Sequence, residues 1–412
     1  MGKVLIIGAG SVGNVVAKKC AQIPEVFSDI TLASRTLEKC KKIRSEIKSN
    51  LGIDINTTQV NADEVQEVVD LIEDNKPDVL IHVALPYQDL TIMKACLKTG
   101  VHYVDTANYE SPKRAKFEYK RQWALSDTFK KSGLTANLGV GFDPGATNAM
   151  IAYMLKHYFS LIRTIDIVDC NAGDHGYYFA TNFNPEANLR EVSQKGKYWE
   201  KGKWIETFTV IEQWHRNLAL EFDYPVVGKK KSYLIYHEEL ESLVKNTPGL
   251  ERIRFWMTFG DRYLNCLEVF KNTGMLGIEE IDYEGLKIPP IRFLGKVLPD
   301  PSTLGINYKG KTSIGCLVDG ITKENGRKKY LIFNVCDHAE CYKEVQGQAV
   351  AYTTGVPAMI GAKLIIEGPW RRAGVNNVEE LDPDPFMDDL NKYGLPWKVE
   401  EFDGSLPDII FK

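Results

Sequence analysis

Lys3-Val4-Leu5-Ile6-Ile7 runs straight into Gly8-Ala9-Gly10-Ser11-Val12-Gly13, an apolar strand followed at once by three spaced glycines. That spacing suits a turn that cradles a dinucleotide. Gly8 permits the tight turn, Gly10 lets the backbone approach a pyrophosphate, and Gly13 lets the next helix pack on the strand. Ser11 and Val12 open that helix, whose unpaired N–H groups and positive dipole end face the phosphate. About 20 residues further on, many such folds carry an acid that binds a ribose 2′-hydroxyl. Here Ser34-Arg35-Thr36 stand instead. A cation flanked by hydroxyls suits a 2′-phosphate, so the expected cofactor is NADP(H), ahead of NAD(H) or FAD.

Ligands of open parallel sheets bind beyond the carboxyl ends of the strands, which singles out the segments at each strand mouth. Asp63 follows strand three and either meets the adenine or caps a helix. Ala84 and Pro86 follow strand four as cofactor contacts, with Tyr87 a candidate proton relay. Thr106 follows strand five beside the cofactor, with Asn108 toward substrate. After strand six, Gly141-Phe142-Asp143-Pro144-Gly145 offers a carboxylate that either steadies a cationic amine or iminium ion or caps the helix near Ala146. Further on, Asn184, Glu186 and Arg190 lie at or on a short helix expected from Pro185. Glu186 and Arg190, four apart, either face one cleft or form a plain surface pair. Asp174 is an ammonium ligand or a turn residue. His338 titrates near neutrality and is an acid/base candidate. Cys336, His338 and Cys341 lack a fourth ligand cluster nearby, so no metal is expected.

The elements that must position these residues alternate strand and helix through the first third. Strands are expected at Val4–Gly8, Ile30–Ala33, Asn56–Val60, Val79–Ala84, Tyr103–Asp105 and Leu134–Gly139, with helices such as Asp63–Glu73 and Leu90–Thr99 between them. Units of about 30 residues imply right-handed crossovers and a parallel, doubly wound α/β sheet, a Rossmann domain. From about Gly145 aromatic strand-like runs take over, at Thr164–Cys170, Lys203–Val210, Leu218–Val226 and Arg254–Phe259. A hairpin of Thr312–Ile321 with Tyr330–Val335 closes at Asn325-Gly326. This reads as an inserted α+β mixed-sheet domain for substrate and dimerisation, containing a helix at Asp261–Thr273. An apolar helix from Tyr342 to Ile366 is expected to return to the first domain, and the tail from Asn376 to pack down. The division is therefore 1–145 plus 340–412 against 146–339.

With 412 residues, two domains are expected. A formal charge of −4 and no basic stripe give no field for nucleic acid. Lys229-Lys230-Lys231 read as a solvated loop between strands. No 18-residue apolar run is read, so no membrane partner is expected. Eight cysteines without a CxxC pair suggest reduced thiols in the cytoplasm.

The glycine turn, Ser34-Arg35, His102-Tyr103-Val104-Asp105-Thr106, Gly141–Gly145 and Tyr352-Thr353-Thr354-Gly355-Val356-Pro357 together resemble the saccharopine dehydrogenase family, in order along most of the chain. The resemblance implies NADPH, a homodimer, and small-molecule substrates. Thr181 to Arg190 and Cys336 to Glu340 are most similar to members that condense L-aspartate 4-semialdehyde with putrescine or 1,3-diaminopropane. Those members reduce the imine to carboxyspermidine or carboxynorspermidine. On that pattern Asp143 supplies a negative field, Arg190 grips the amino-acid carboxylate, and acids of the insertion hold the diamine. The alternatives are a saccharopine-type or other opine-type imine reductase, whose extra carboxylates need more Arg and Lys, homospermidine synthase, and an NADPH-binding sensor without chemistry.

Overall fold

Residues 1–111, 114–404 and 406 are described in the computed structural model. The alternating first third builds parallel strands β1 (Gly2–Ile7), β2 (Phe27–Ser34), β3 (Asn56–Gln59), β4 (Val79–His82) and β5 (His102–Asp105). A short ribbon, β6 (Glu110–Ser111) with β7 (Arg114–Phe117), precedes β8 (Thr135–Leu138). Successive residues of one strand enter different cores. Val4 and Ile6 join one apolar cluster, Leu5 and Ile7 another, because a parallel sheet is covered on both faces.

The second region contributes β9 (Phe159–Asn171), β10 (Lys195–Glu200), β11 (Lys203–Thr209), β12 (Leu220–Tyr224), β13 (Gly228–Ile235) and β14 (Arg252–Thr258). The exposed hairpin β15 (Ile281–Tyr283) with β16 (Leu286–Ile288) and the long hairpin β17 (Lys311–Thr322) with β18 (Arg327–Asp337) follow. The chain then crosses back. β19 (Gly374–Asn377) joins the first sheet beside β8, and β20 (Trp397–Glu401) pairs with β18. The first sheet thus runs β3-β2-β1-β4-β5-β8-β19, every neighbour parallel, doubly wound about β1 and β4. The mixed sheet runs β11-β10-β14-β9-β17-β18-β20, with β12 and β13 attached through β14.

Several expectations need correcting. A seventh strand, β19, extends the six expected, and the tail is divided between the two sheets; residues 405 and 407–412 lie outside the described residues. The lysine run at 229–231 belongs to β13, exposed but hydrogen-bonded to β12, rather than to a loop. The returning helix is two helices, His338–Val345 and Ala349–Glu367, broken where Gln346 takes φ 49°. Ala349–Glu367 is also long and apolar enough by composition to cross a membrane, contrary to the reading of no such run, and 83% of its apolar window is buried inside the protein. It packs against helix Ser11–Ala21 so closely that a Cβ on Gly355 would lie 2.7 Å from Val15 Cγ1.

β9 is the hinge between function and framework. Asp166 and Asp169 are an odd number apart and so project from opposite faces. Asp166 accepts from Arg254 Nε at 2.6 Å and Trp256 Nε1 at 3.0 Å, tying β9 to β14. Removing one partner of a buried ion pair costs about 3–5 kcal/mol. Asp166→Ala should lose about that much in urea unfolding, and an unchanged midpoint would show the pair to be dispensable.

Candidate active site

The carboxyl ends of the first sheet face the mixed sheet across a cleft of about 620 Å³. Gly8, Gly10, Ser11 and Val12 line one wall, with Ser34, Arg35 and Thr36 at its rim and Ala84, Pro86 and Thr106 deeper. Gly8 takes φ +124°. Gly13 lies behind the wall, where a Cβ would meet Gly8 O at 1.8 Å, so its role is to let helix and strand approach. Gly10 differs. No protein atom lies within 4 Å of where its Cβ would stand. Space kept there is space for a ligand, which is what a pyrophosphate over the helix end requires. Thr36 precedes helix Leu37–Leu51 and makes no side-chain cap bond, leaving that N-terminus beside the exposed Arg35 for a phosphate. Lys39, which the sequence reading passed over, completes the basic rim and reaches Asp300 of the second region at 2.9 Å. Asp63 is not among the lining residues and is not the helix cap, which is Glu64. It accepts from Gln88 at 2.8 Å and lies 3.6 Å from Arg35, steadying the rim.

The opposite end of the cleft is acidic. Asp143 stands in a turn whose glycines are enforced by contact, since a Cβ on Gly145 would lie 2.1 Å from Gly141 O. Asp105 anchors the start of that turn by accepting from Gly139 N–H at 2.6 Å and from Gln122 at 2.8 Å. Asp143 does not cap the helix that follows, Ala146–His157, whose N-cap is Gly145. It lines the cleft with Asp169, Glu191 and Glu238, and the histidine among them is His237. Asp143 and Asp169 lie close enough to shift each other's titration. Burial and mutual repulsion push the Asp143 carboxyl well above its ordinary range, while burial, offset by His237, carries Asp169 up to about 7. Both carboxyls therefore hold a proton more readily than free carboxylic acids do. The full negative field expected from Asp143 belongs to the pair rather than to one residue. Burial raises Glu191 and Glu238 as well, against the pull of His237.

His237 closes this cluster. Its ring stacks on Phe255 at 4.2 Å and 9°. Nδ1 is hydrogen-bonded to Glu239, and Nε2 lies 3.4 Å from Glu191 Oε1. Burial opposes its charge, but Glu239, Glu191 and Asp143 outweigh it and hold the pKa well above the usual value. Asp169, Glu191 and the run His237-Glu238-Glu239 were not singled out in the sequence. The available signals were an acid inside an apolar strand and a His-Glu-Glu run where a strand turns into a helix.

Other expected site residues stand elsewhere. Asn184 lines the cleft and caps helix Pro185–Val192 through Ala187 N–H. Arg190 does not line it. Its side chain, 1% exposed, donates to Glu110 at 2.7 Å and to Ser111 O at 2.9 Å, with Glu186 3.9 Å away. A guanidinium so enclosed is spoken for by the fold, and Glu186 also meets Arg292 at 3.5 Å. Tyr87 lies over Arg190, its hydroxyl buried and pushed upward by burial and by Glu186. Asn108 is buried behind Glu238, to which its backbone N–H donates at 2.5 Å. Asp174 is exposed and bonds Gly176 N–H, a turn role. His338 stacks on Tyr308 at 3.6 Å, its Nδ1 accepts from Ala349 N–H at 3.1 Å, and its Nε2 meets Asn171 Oδ1 at 3.0 Å. Burial lowers it to about 4, so it is neutral and fully engaged.

Comparison with known proteins fits this geometry. Residues 4–136 match the saccharopine dehydrogenase NADP binding domain and residues 141–395 the saccharopine dehydrogenase C-terminal domain. A carboxyaminopropylagmatine dehydrogenase of Synechocystis sp. is 54% identical, covering 99% of this chain and 99% of its own. A carboxynorspermidine synthase of Vibrio cholerae is 42% identical over 98% of this chain and 99% of its own. The apo saccharopine dehydrogenase (L-Glu forming) of Saccharomyces cerevisiae shares the fold, with a TM-score of 0.70 at 16% identity over 98% of this chain and 100% of its own. The cofactor is NADP.

The two glycines should separate experimentally. Gly10→Ala should weaken NADPH binding by about tenfold or more with an unchanged melting temperature, whereas Gly13→Ala should lower stability by about 1–3 kcal/mol. Equal thermal loss in both would contradict the assignment. Arg35→Ala should cost about tenfold in NADPH affinity, the worth of one charged hydrogen bond, and leave NADH binding nearly unmoved in a fluorescence titration.

Proposed function

The chain belongs to the saccharopine dehydrogenase family, and on that premise we propose that it reductively joins L-aspartate 4-semialdehyde to a cationic primary amine in polyamine synthesis. One observation carries the reading. The cleft's lysine and arginine residues are Arg35 and Lys39 at the cofactor rim and Lys296 of the second region, while its inner end gathers Asp143, Asp169, Glu191 and Glu238 with a single histidine. A saccharopine-type substrate brings several carboxylates and would find repulsion there. An amine with a second cationic group finds partners.

Bound NADPH would supply hydride to the imine carbon. The chain's own residues hold the remote cation through Glu191 and Glu238, place the imine nitrogen near the Asp143–Asp169 pair, and favour its protonated form by their negative charge. The relative of greater identity is named for carboxyaminopropylagmatine, which favours agmatine over putrescine or 1,3-diaminopropane as the amine. A guanidinium can be gripped bidentately by carboxylates. A homodimer and a cytoplasmic setting belong to the same reading, and light scattering should return twice the 46.5 kDa of one chain.

The deciding assay follows NADPH absorbance with the semialdehyde and each of the three amines, beside an oxoacid–lysine pair. Turnover is expected with amines and not with the oxoacid pair; the reverse would return the chain to saccharopine chemistry. Glu238→Gln should raise the KM for the amine about tenfold, the worth of one charge-assisted contact, with NADPH affinity unchanged.

A further inference from the structure

Joining an aldehyde to an amine passes through a carbinolamine whose hydroxyl must leave as water. That departure requires a proton at the oxygen. Of the histidines among the described residues, His82, the last residue of β4, is buried against Asp89 at 2.9 Å, and His338 has both nitrogens engaged. His237 alone lines the cleft. Glu239 occupies Nδ1, which leaves Nε2 facing Glu191, itself a residue of the cleft lining, and the parallel stack on Phe255 fixes the ring plane. The Nε2 contact to Glu191, 3.4 Å, is longer than a formed hydrogen bond, so a substrate oxygen can replace it. A ring with a carboxylate at each nitrogen satisfies both only as the imidazolium.

We propose that His237 is the acid of the condensation step, giving its Nε2 proton to the hydroxyl of the carbinolamine. The C–O bond breaks, the nitrogen lone pair becomes the second C–N bond of the iminium ion, and the oxygen leaves with the His237 proton as water. The neutral imidazole is restored to the imidazolium by the proton that the ammonium substrate gives up through solvent as its nitrogen adds to the aldehyde, and no oxidant or reductant enters this step. Glu239 is a positioning residue that orients Nδ1 and sustains the charge. The groups facing the ring are Glu238 and Glu239 from its own turn, Glu191 from helix Pro185–Val192, Asp143 beyond β8, and Asp169 on β9. This inference rests on the imine-forming reading.

The test compares pH profiles of kcat for wild type, His237→Gln and Glu239→Gln with the amine that wild type turns over. For an acid that must be protonated, kcat falls as pH rises through its pKa. Wild type should show that alkaline limb, and His237→Gln should lose about 100-fold or more in kcat together with the limb. Glu239→Gln should move the limb to lower pH by about one unit or more, because a charge that favours the imidazolium is gone. NADPH titration on each variant reports that the cleft is folded. Retained kcat in His237→Gln, or an unmoved limb in Glu239→Gln, overturns the role of His237. Wild type inactive with every amine overturns the functional reading instead.

Discussion

Five carboxyl groups and an imidazole are held together where water is scarce, and this arrangement is stable only with compensating positive charge or protons. Asp143 and Asp169 meet it by taking up protons more readily than free carboxyls, and Glu191 and Glu239 by flanking His237. A buried cluster of like charges costs free energy in the empty protein. The proposed cationic substrate would relieve that cost, so the repulsion that strains the free site would favour the amine. The Asp105 anchor, the contact-enforced glycines at 141 and 145, and the Asp166 pairing beneath β9 keep the acids in place against their repulsion.

The two ends of the cleft are therefore chemically opposed. Arg35 and Lys39 stand at the rim proposed for the 2′-phosphate, and the acids line the end proposed for the amine. Lys39 also reaches Asp300, linking the cofactor rim to the second region. Reduction needs the imine carbon between these ends, and the cleft is shaped by two sheets whose strand mouths face one another.

Much of this was legible in the sequence, and the reasons differ by element. The glycine turn and Ser34-Arg35-Thr36 are local devices, readable because backbone conformation and phosphate chemistry dictate residue type at fixed spacing. Asp143 was readable for the same reason. β19 was not, because Gly374–Asn377 is only four residues long and acquires strand character only by pairing with β8. Arg190 misled because helical spacing shows that Glu186 is near, but not that Glu110, 80 residues earlier, reaches the guanidinium first. Asp169 and His237 come together through the β9–β14–β13 pairing, a long-range register that no local pattern encodes.

The central claim is that the inner cleft is a cation site which sheds a proton when filled. Calorimetry of agmatine or putrescine binding to the NADP⁺-loaded protein, repeated in buffers of different ionisation enthalpy, measures this directly. Binding accompanied by proton release is the expected result, because a cation beside Asp143 and Asp169 lowers their raised pKa values. Binding of glutamate in preference to either amine, or amine binding with no change in proton count, would contradict it.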